Sequence, residues 1–288
     1  MLQALLQAIV GGLMTGSQLA LPAIGFTAIF AVLRYPSFAV AAYMTVGAFA
    51  AVFANTHFGA GVAVCALVAA VAAGLVGVAT EHTVLSPLRP AGALTVAIGS
   101  IALNLVLENV VRFFFGNDMR GFDMPILPDM RVAGLRVGAQ QLQNLALAVV
   151  VMAAVFVFLR FSRFGRAMRA VADNGDLARL KGIDPKLISA FAIALGAALA
   201  GIGGALLGMD TSIDPLTGYR VLLSVFAAAV LGGLGSIPGA VVGALVIGVT
   251  EEVSLLVVPT TYRGAIAFFA ILVMLSFRPR GLLGERAT

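Results

Sequence analysis

Apolar residues in this chain are gathered into long blocks separated by short polar stretches. The blocks fall at roughly 4–33, 38–55, 58–80, 92–111, 142–160, 187–208, 221–258 and 264–277. A helix crosses the ~30 Å hydrocarbon core with ~20 apolar residues, so the pattern predicts about eight spans and an all-α, polytopic transmembrane helix bundle. The first block is long enough to span and still kink at Pro22. The seventh contains Gly232-Gly233-Leu234-Gly235-Ser236-Ile237-Pro238-Gly239, poor material for one uninterrupted helix. It reads either as two short helices meeting at a turn or as a broken, re-entrant segment packed inside the bundle, where protein or a watery cavity satisfies the freed backbone.

Two polar stretches stand out. Residues 112–141 hold Arg112, Arg120, Arg131 and Arg136 with Asp118, Asp123 and Asp129. Residues 160–186 hold Arg160, Arg163, Arg166, Arg169, Arg179, Lys181 and Lys186 against Asp173, Asp176 and Asp184. The positive-inside rule places the second stretch in the cytoplasm. One crossing earlier, 112–141 falls outside the cytoplasm. The tail with Arg278, Arg280 and Arg286 reads as cytoplasmic too, which requires 221–258 to cross twice. The segment up to Leu33 has no Lys or Arg before Arg34 and reads as a retained membrane helix rather than a signal peptide.

Composition agrees with a membrane class. Hydrophobic residues make up 61% of the 288, charged residues 11%, and the mean hydropathy is +1.06. With 18 basic and 13 acidic side chains, a soluble domain of this size could not cover its surface. The net charge of +5 reads as topology rather than as nucleic-acid affinity. One cysteine, Cys65, excludes an internal disulfide. No internal repeat or low-complexity linker divides the chain, so 1–288 reads as one transmembrane domain containing the 160–186 loop. Small residues recur every fourth position at Gly12/Gly16, Gly196/Ala200/Gly204/Gly208 and Gly235/Gly239/Gly243, a spacing that lets helix backbones approach within a bundle or across a dimer face.

Catalytic chemistry is missing. There is no phosphate-binding Gly-x-x-x-x-Gly-Lys-Ser/Thr loop, His57 and His82 stand apart, and no metal-ligand spacing or nucleophile elbow occurs. The chain is therefore expected to be non-catalytic, with no bound cofactor or metal.

The 160–186 stretch is not a slack linker. Arg166 to Ala172 predicts a short helix stopped by Asn174-Gly175, and Asp176 to Lys181 a second one closed by Gly182. Asp184-Pro185 then starts the next membrane helix as N-cap and first residue. Ala167, Met168, Val171, Leu177, Leu180 and Ile183 are apolar residues in a polar loop and predict a docked partner.

The stretch Gly165-Arg166-Ala167-Met168-Arg169-Ala170 to Gly182-Ile183, followed by Leu195-Gly196-Ala197-Ala198-Leu199-Ala200-Gly201, resembles permeases of branched-chain amino acid ABC importers, LivH-like subunits in particular. Gly16-Ser17-Gln18-Leu19-Ala20-Leu21, Gly25-Phe26-Thr27, Arg89-Pro90, Glu108-Asn109, the 231–240 glycine motif and 277–284 extend the likeness nearly end to end. The resemblance implies a multi-pass subunit of the bacterial inner membrane. Its partners would be a second homologous permease or a second copy, two ATP-binding subunits that carry ATP and Mg, and a periplasmic substrate-binding protein, received in part by 112–141. It makes 166–183 the coupling region, with Arg166, Arg169, Ala172, Asp173, Ala178, Leu180, Gly182 and Ile183 on the coupling pattern. Where the family carries Asn-Phe-Ala-His-Gly-Glu, this chain has Ser37-Phe38-Ala39-Val40-Ala41-Ala42, a departure that leaves the substrate open among a branched-chain amino acid, an amide, urea and an organic acid.

Polar residues inside the blocks are pathway candidates: Gln18, Ser37, Asn104, Glu108 and Asn109. Asn104, Glu108 and Arg112 share one helix face. Glu108 is either a functional carboxylate or the partner of Arg112, and Gln18 and Asn109 also read as interhelical hydrogen-bond glue. Glu251 and Glu252 are expected to snorkel to an interface. The alternative function is a stand-alone secondary transporter or channel with Glu108 as its ion or proton site.

Overall fold

The computed structural model describes residues 2–124, 130–132, 135–278 and 281–284; the side chains of 130–132 and 135 are not described. Asp129, Pro279, Arg280 and Arg286 fall outside the described residues, as does the Arg131 side chain. The apolar blocks become helices: α1 Leu2–Leu33, α2 Val40–Phe58, α3 Val62–Thr80, α5 Ala93–Phe115, α6 Ala139–Phe161, α9 Pro185–Asp210, α10 Thr217–Gly232, α11 Ile237–Ser254 and α12 Arg263–Phe277. Past Thr80, α3 runs on through a π turn, the short helix α4 (Ser86–Leu88) and a 3-10 turn to Ala91. Among the described residues, seven helices are long and apolar enough to cross a membrane, and α10 is a shorter apolar one. A hairpin of β1 (Met130–Val132) and β2 (Leu135–Val137) sits in the 116–138 connection. The fold is an all-α polytopic bundle.

The 221–258 block is two helices meeting at a turn. Gly233 (φ +102°) and Gly235 (φ +95°) take backbone conformations open to glycine. Ser236 then caps α11 by accepting from the Gly239 amide, with Pro238 in its first turn. A Cβ on Gly232 would collide with the Gly239 backbone and a Cβ on Gly239 with that of Gly232, so the pair sets how closely α10 and α11 cross.

The centre of the bundle is α1, packed along α9 and α11. Gly25 meets Gly196 backbone to backbone, and Gly12 and Gly16 lie against Val249, Gly248 and Ala244. Gly196 and Gly204 are spent the same way against α1 and α2. The small-residue repeats of α1 and α9 are thus consumed by packing inside the chain, which is the bundle reading rather than the dimer-face reading. Large apolar side chains such as Leu67 and Leu75 of α3, Leu94 and Phe113 of α5, Val150 of α6 and Phe269 of α12 face outward, as expected where lipid replaces water as the surrounding medium.

Charge separates by end. Arg34, Arg89, the seven cations of 160–186 and Arg278 lie at one end of the bundle, with Glu81, Asp173, Asp176 and Asp184. The opposite end carries Arg112, Arg120, Arg136, Arg220 and Arg263 beside Asp118, Asp123, Asp210, Asp214, Glu251 and Glu252. Only the first is strongly basic.

Candidate functional site: a loop and a polar cluster joined by three helices

At the basic end, residues 162–184 fold into α7 (Arg163–Asp173) and α8 (Gly175–Leu180). Ser162 caps α7 by accepting from the Gly165 amide, Asn174 caps α8 by accepting from the Leu177 amide, and Asp184 caps α9 by accepting from the Lys186 amide. Gly182 turns the chain out of α8 at φ +82°.

The apolar residues of this loop divide. Met168, Val171 and Ala178 are buried against the bundle, and Ala167 and Ile183 pack partly on it. The expectation that all six apolar residues await a partner is corrected here: the protein's own helices already cover most of them. Leu177 (54% exposed) and Leu180 (84% exposed) remain uncovered, both on α8. A leucine that open, at the charged end of the molecule, is the clearest candidate contact in the loop.

Several loop cations are also occupied. The Arg169 guanidinium donates to the Leu159 carbonyl at 2.6 Å, and Arg166 donates to the Phe161 carbonyl at 3.0 Å. Both satisfy carbonyls that α6 leaves open at its C-terminus, where positive charge is favoured. Arg34, in the left-handed region at φ 58°, reaches from the end of α1 to donate to the Ala172 carbonyl at 2.6 Å. Asp173 and Gly182 are exposed and Ala172 half-buried. The loop therefore grips three helices: α1 through Arg34, α6 through Arg166 and Arg169, and α9 through the cap at Asp184.

Those three helices meet again at the other end. Asp210, the last residue of α9, accepts from Gln18 Nε2 of α1 and, at 2.9 Å, from Asn144 Nδ2 of α6. Asn144 also donates to the Leu206 carbonyl, and Gln140 donates to Asn144 Oδ1 at 3.1 Å. Gln18 and Asn144 are buried (3% and 0% exposed), whereas Asp210 keeps one side open. That side forms a cavity of about 340 Å³ lined by Gln7, Arg136, Gly138, Gln140, Gln141, Met209 and Asp210. Gln7 clamps the hairpin over it, donating to the Arg136 carbonyl at 2.7 Å and accepting from the Arg136 amide at 3.0 Å. The sequence singled out Gln18 but missed Asp210 and Asn144. The signal was present: a carboxylate closing an apolar block is costly there unless amides meet it.

The remaining candidates are placed as follows. Asn104 and Glu108 are buried on the inner face of α5, and Glu108 accepts from Arg112 at 2.8 Å. Asn109 points outward among Leu105, Val106, Val110 and Phe113 and donates back to the Leu105 carbonyl. Ser37 is buried in the 34–39 connection between α1 and α2, where the Phe38 amide donates to Ser100 of α5 and Phe38 tilts against Phe226. Gly232, Gly233, Gly235, Pro238 and Gly239 form the α10–α11 turn described above. Glu251 does not snorkel: it is 2% exposed, accepts from Ser224 at 2.5 Å and pairs with Arg263, which also holds Glu252. At the far end, Asn55 ties the 116–138 connection down by accepting from the Asp123 amide at 2.7 Å.

A family model described as branched-chain amino acid transport system / permease component matches residues 8–275. The high-affinity branched-chain amino acid transport system permease protein BraD of Pseudomonas aeruginosa is 33% identical, covering 97% of this chain and 96% of its own. The corresponding LivH protein of Escherichia coli K12 is 31% identical with the same coverage. Among solved structures, PsaBC from Streptococcus pneumoniae in complex with Fab aligns over 97% of this chain and 92% of its own, at 15% identity and a TM-score of 0.46.

Proposed function

The chain belongs to the branched-chain amino acid transport system permease family, and from that premise we propose that it is the membrane-spanning subunit of an ATP-binding cassette importer. It moves a branched-chain amino acid or a related small polar solute across the bacterial inner membrane, with the basic end in the cytoplasm. The observation that carries this reading is the continuity just described. One compact loop holds α1, α6 and α9 at the charged end, and the same three helices converge on a polar cavity about 39 Å away, taking ~1.5 Å per residue along α9.

The mechanism follows from that geometry. An ATP-hydrolysing subunit seats Leu177 and Leu180 of α8 in an apolar groove. Closure of the ATPase pair displaces α8, and the caps at Asn174 and Asp184 keep that displacement from dissipating within the loop. The guanidinium bonds of Arg34, Arg166 and Arg169 carry it into α1 and α6. ATP and Mg belong to the partner subunits, and this chain contributes conformational exchange rather than bond chemistry. A second permease, homologous or identical, completes the membrane unit. A periplasmic binding protein delivers solute at the cavity end.

Co-expression with the ATP-binding subunits tests the reading. Leu180→Asp is expected to abolish their co-purification and ATP-dependent solute uptake while leaving the chain folded and membrane-inserted. Uptake by the isolated chain in liposomes, driven by an ion gradient, would overturn it in favour of a secondary transporter. Glu108 gives that alternative little to work with, because Arg112 already neutralises it.

A further inference from the structure

The cavity at the end of α9 has a chemistry that narrows the solute class. Its lining is almost wholly polar, Met209 being the one apolar side chain. It holds one carboxylate, Asp210, and one guanidinium-bearing residue, Arg136, contributed by separate elements. Asp210 is held in place from behind by buried amides of two other helices, one hydrogen bond to each carboxylate oxygen, and its remaining acceptor capacity faces the cavity. Arg136 is held by its backbone through the two-bond Gln7 clamp, which leaves the guanidinium uncommitted by that contact. The volume of about 340 Å³ lies at the low end of the ~300–1,000 Å³ typical of small-molecule sites.

We propose that this cavity binds the head group of a zwitterionic α-amino acid, Asp210 receiving the α-ammonium and Arg136 the α-carboxylate. The inference rests on the importer reading and sharpens it. A solute carrying both charges on one carbon satisfies both residues. Urea and simple amides leave both ions without a counterion, and an organic acid faces an unanswered Asp210. With so little apolar lining, the site reads the head group shared by all α-amino acids. Choice among side chains falls to some other element of the transporter.

The test places a reporter in the cavity wall. In the full chain reconstituted in nanodiscs, with the buried Cys65 changed to Ala, Gln141→Cys supplies the only thiol for a water-soluble methanethiosulfonate reagent. L-leucine is expected to slow labelling with saturation. 4-Methylpentanoate, which lacks the ammonium, and 3-methylbutylamine, which lacks the carboxylate, are expected to need at least about tenfold higher concentration, since each forfeits one charge-assisted interaction. Adding Asp210→Asn or, separately, Arg136→Gln is expected to erase the advantage of leucine over one analogue, each variant being compared with its own unliganded labelling rate. Because Arg136 sits on the hairpin, its variant keeps the test decisive if Asp210→Asn fails to fold. Equal protection by all three compounds, no protection by any, or a thiol that the reagent never reaches would each overturn the proposal. ATPase co-purification reads the opposite end of the molecule. Its loss, with leucine protection intact, would strike the importer reading and spare the cavity.

Discussion

The crossing of α1 and α9 offers a strict test of how the bundle is held, because two glycines on helices packed against α9 differ only in what surrounds them. A Cβ on Gly25 would run into the carbonyl of Gly196, a backbone atom that cannot rotate away. A Cβ on Gly74 of α3 would sit 3.4 Å from the Ala194 carbonyl and 3.7 Å from Ala198 Cβ, ordinary contact distances. Gly25→Ala therefore forces the two central helices apart, an overpacking cost of about 1–3 kcal/mol, at the upper end because backbone must move. Gly74→Ala fills space already available and gains about 0.5–1 kcal/mol from lost glycine flexibility. The expected difference between the variants is about 3.5–4 kcal/mol, of opposite signs relative to the parent chain. The sole cysteine supplies the assay. Cys65 is fully buried, so a thiol-reactive fluorophore reports unfolding as a rise in signal on heating in detergent. Equal apparent melting temperatures for the two variants would refute the claim that the Gly25–Gly196 approach sets the α1–α9 distance.

Further expectations follow from the charged and capping groups. Arg169→Ala removes the guanidinium that satisfies the Leu159 and Arg160 carbonyls; it should cost about 1–3 kcal/mol and expose the 160–186 loop to trypsin in inside-out vesicles, whereas unchanged cleavage would argue that α7 is held by its apolar face alone. Glu108→Gln should leave solute uptake within a few-fold of the parent in transport assays, because the carboxylate is paired with Arg112; complete loss would restore the idea of Glu108 as an ion site. Asn55→Ala strands the Asp123 amide and leaves the Ala60 carbonyl with only the weak Cys65 thiol donor; it should cost about 1–3 kcal/mol, seen as faster hydrogen exchange confined to residues near 60 and 123.

Much of this architecture was legible in the order of residues alone. Block length gave the spans, since a bilayer of fixed thickness demands a minimum run of apolar side chains. Gly233, Gly235, Ser236 and Pro238 announced the α10–α11 break, and Asn174, Gly182 and Asp184-Pro185 announced the two-helix loop, because caps and turns depend on local backbone and side-chain chemistry. What the sequence could not decide was which side of each element meets protein. Hydropathy is nearly uniform around a membrane helix, so nothing local distinguished buried Asn104 and Glu251 from outward Asn109, or covered Met168 from open Leu180. Nor could spacing bring Gln18, Asn144 and Asp210 together. They lie on three helices distant in sequence, and only close packing through facing glycines and alanines delivers two amides to one carboxylate. The sequence determined the elements and their ends by local chemistry. The tertiary structure decided the faces, and through them joined a docking loop to a polar cavity.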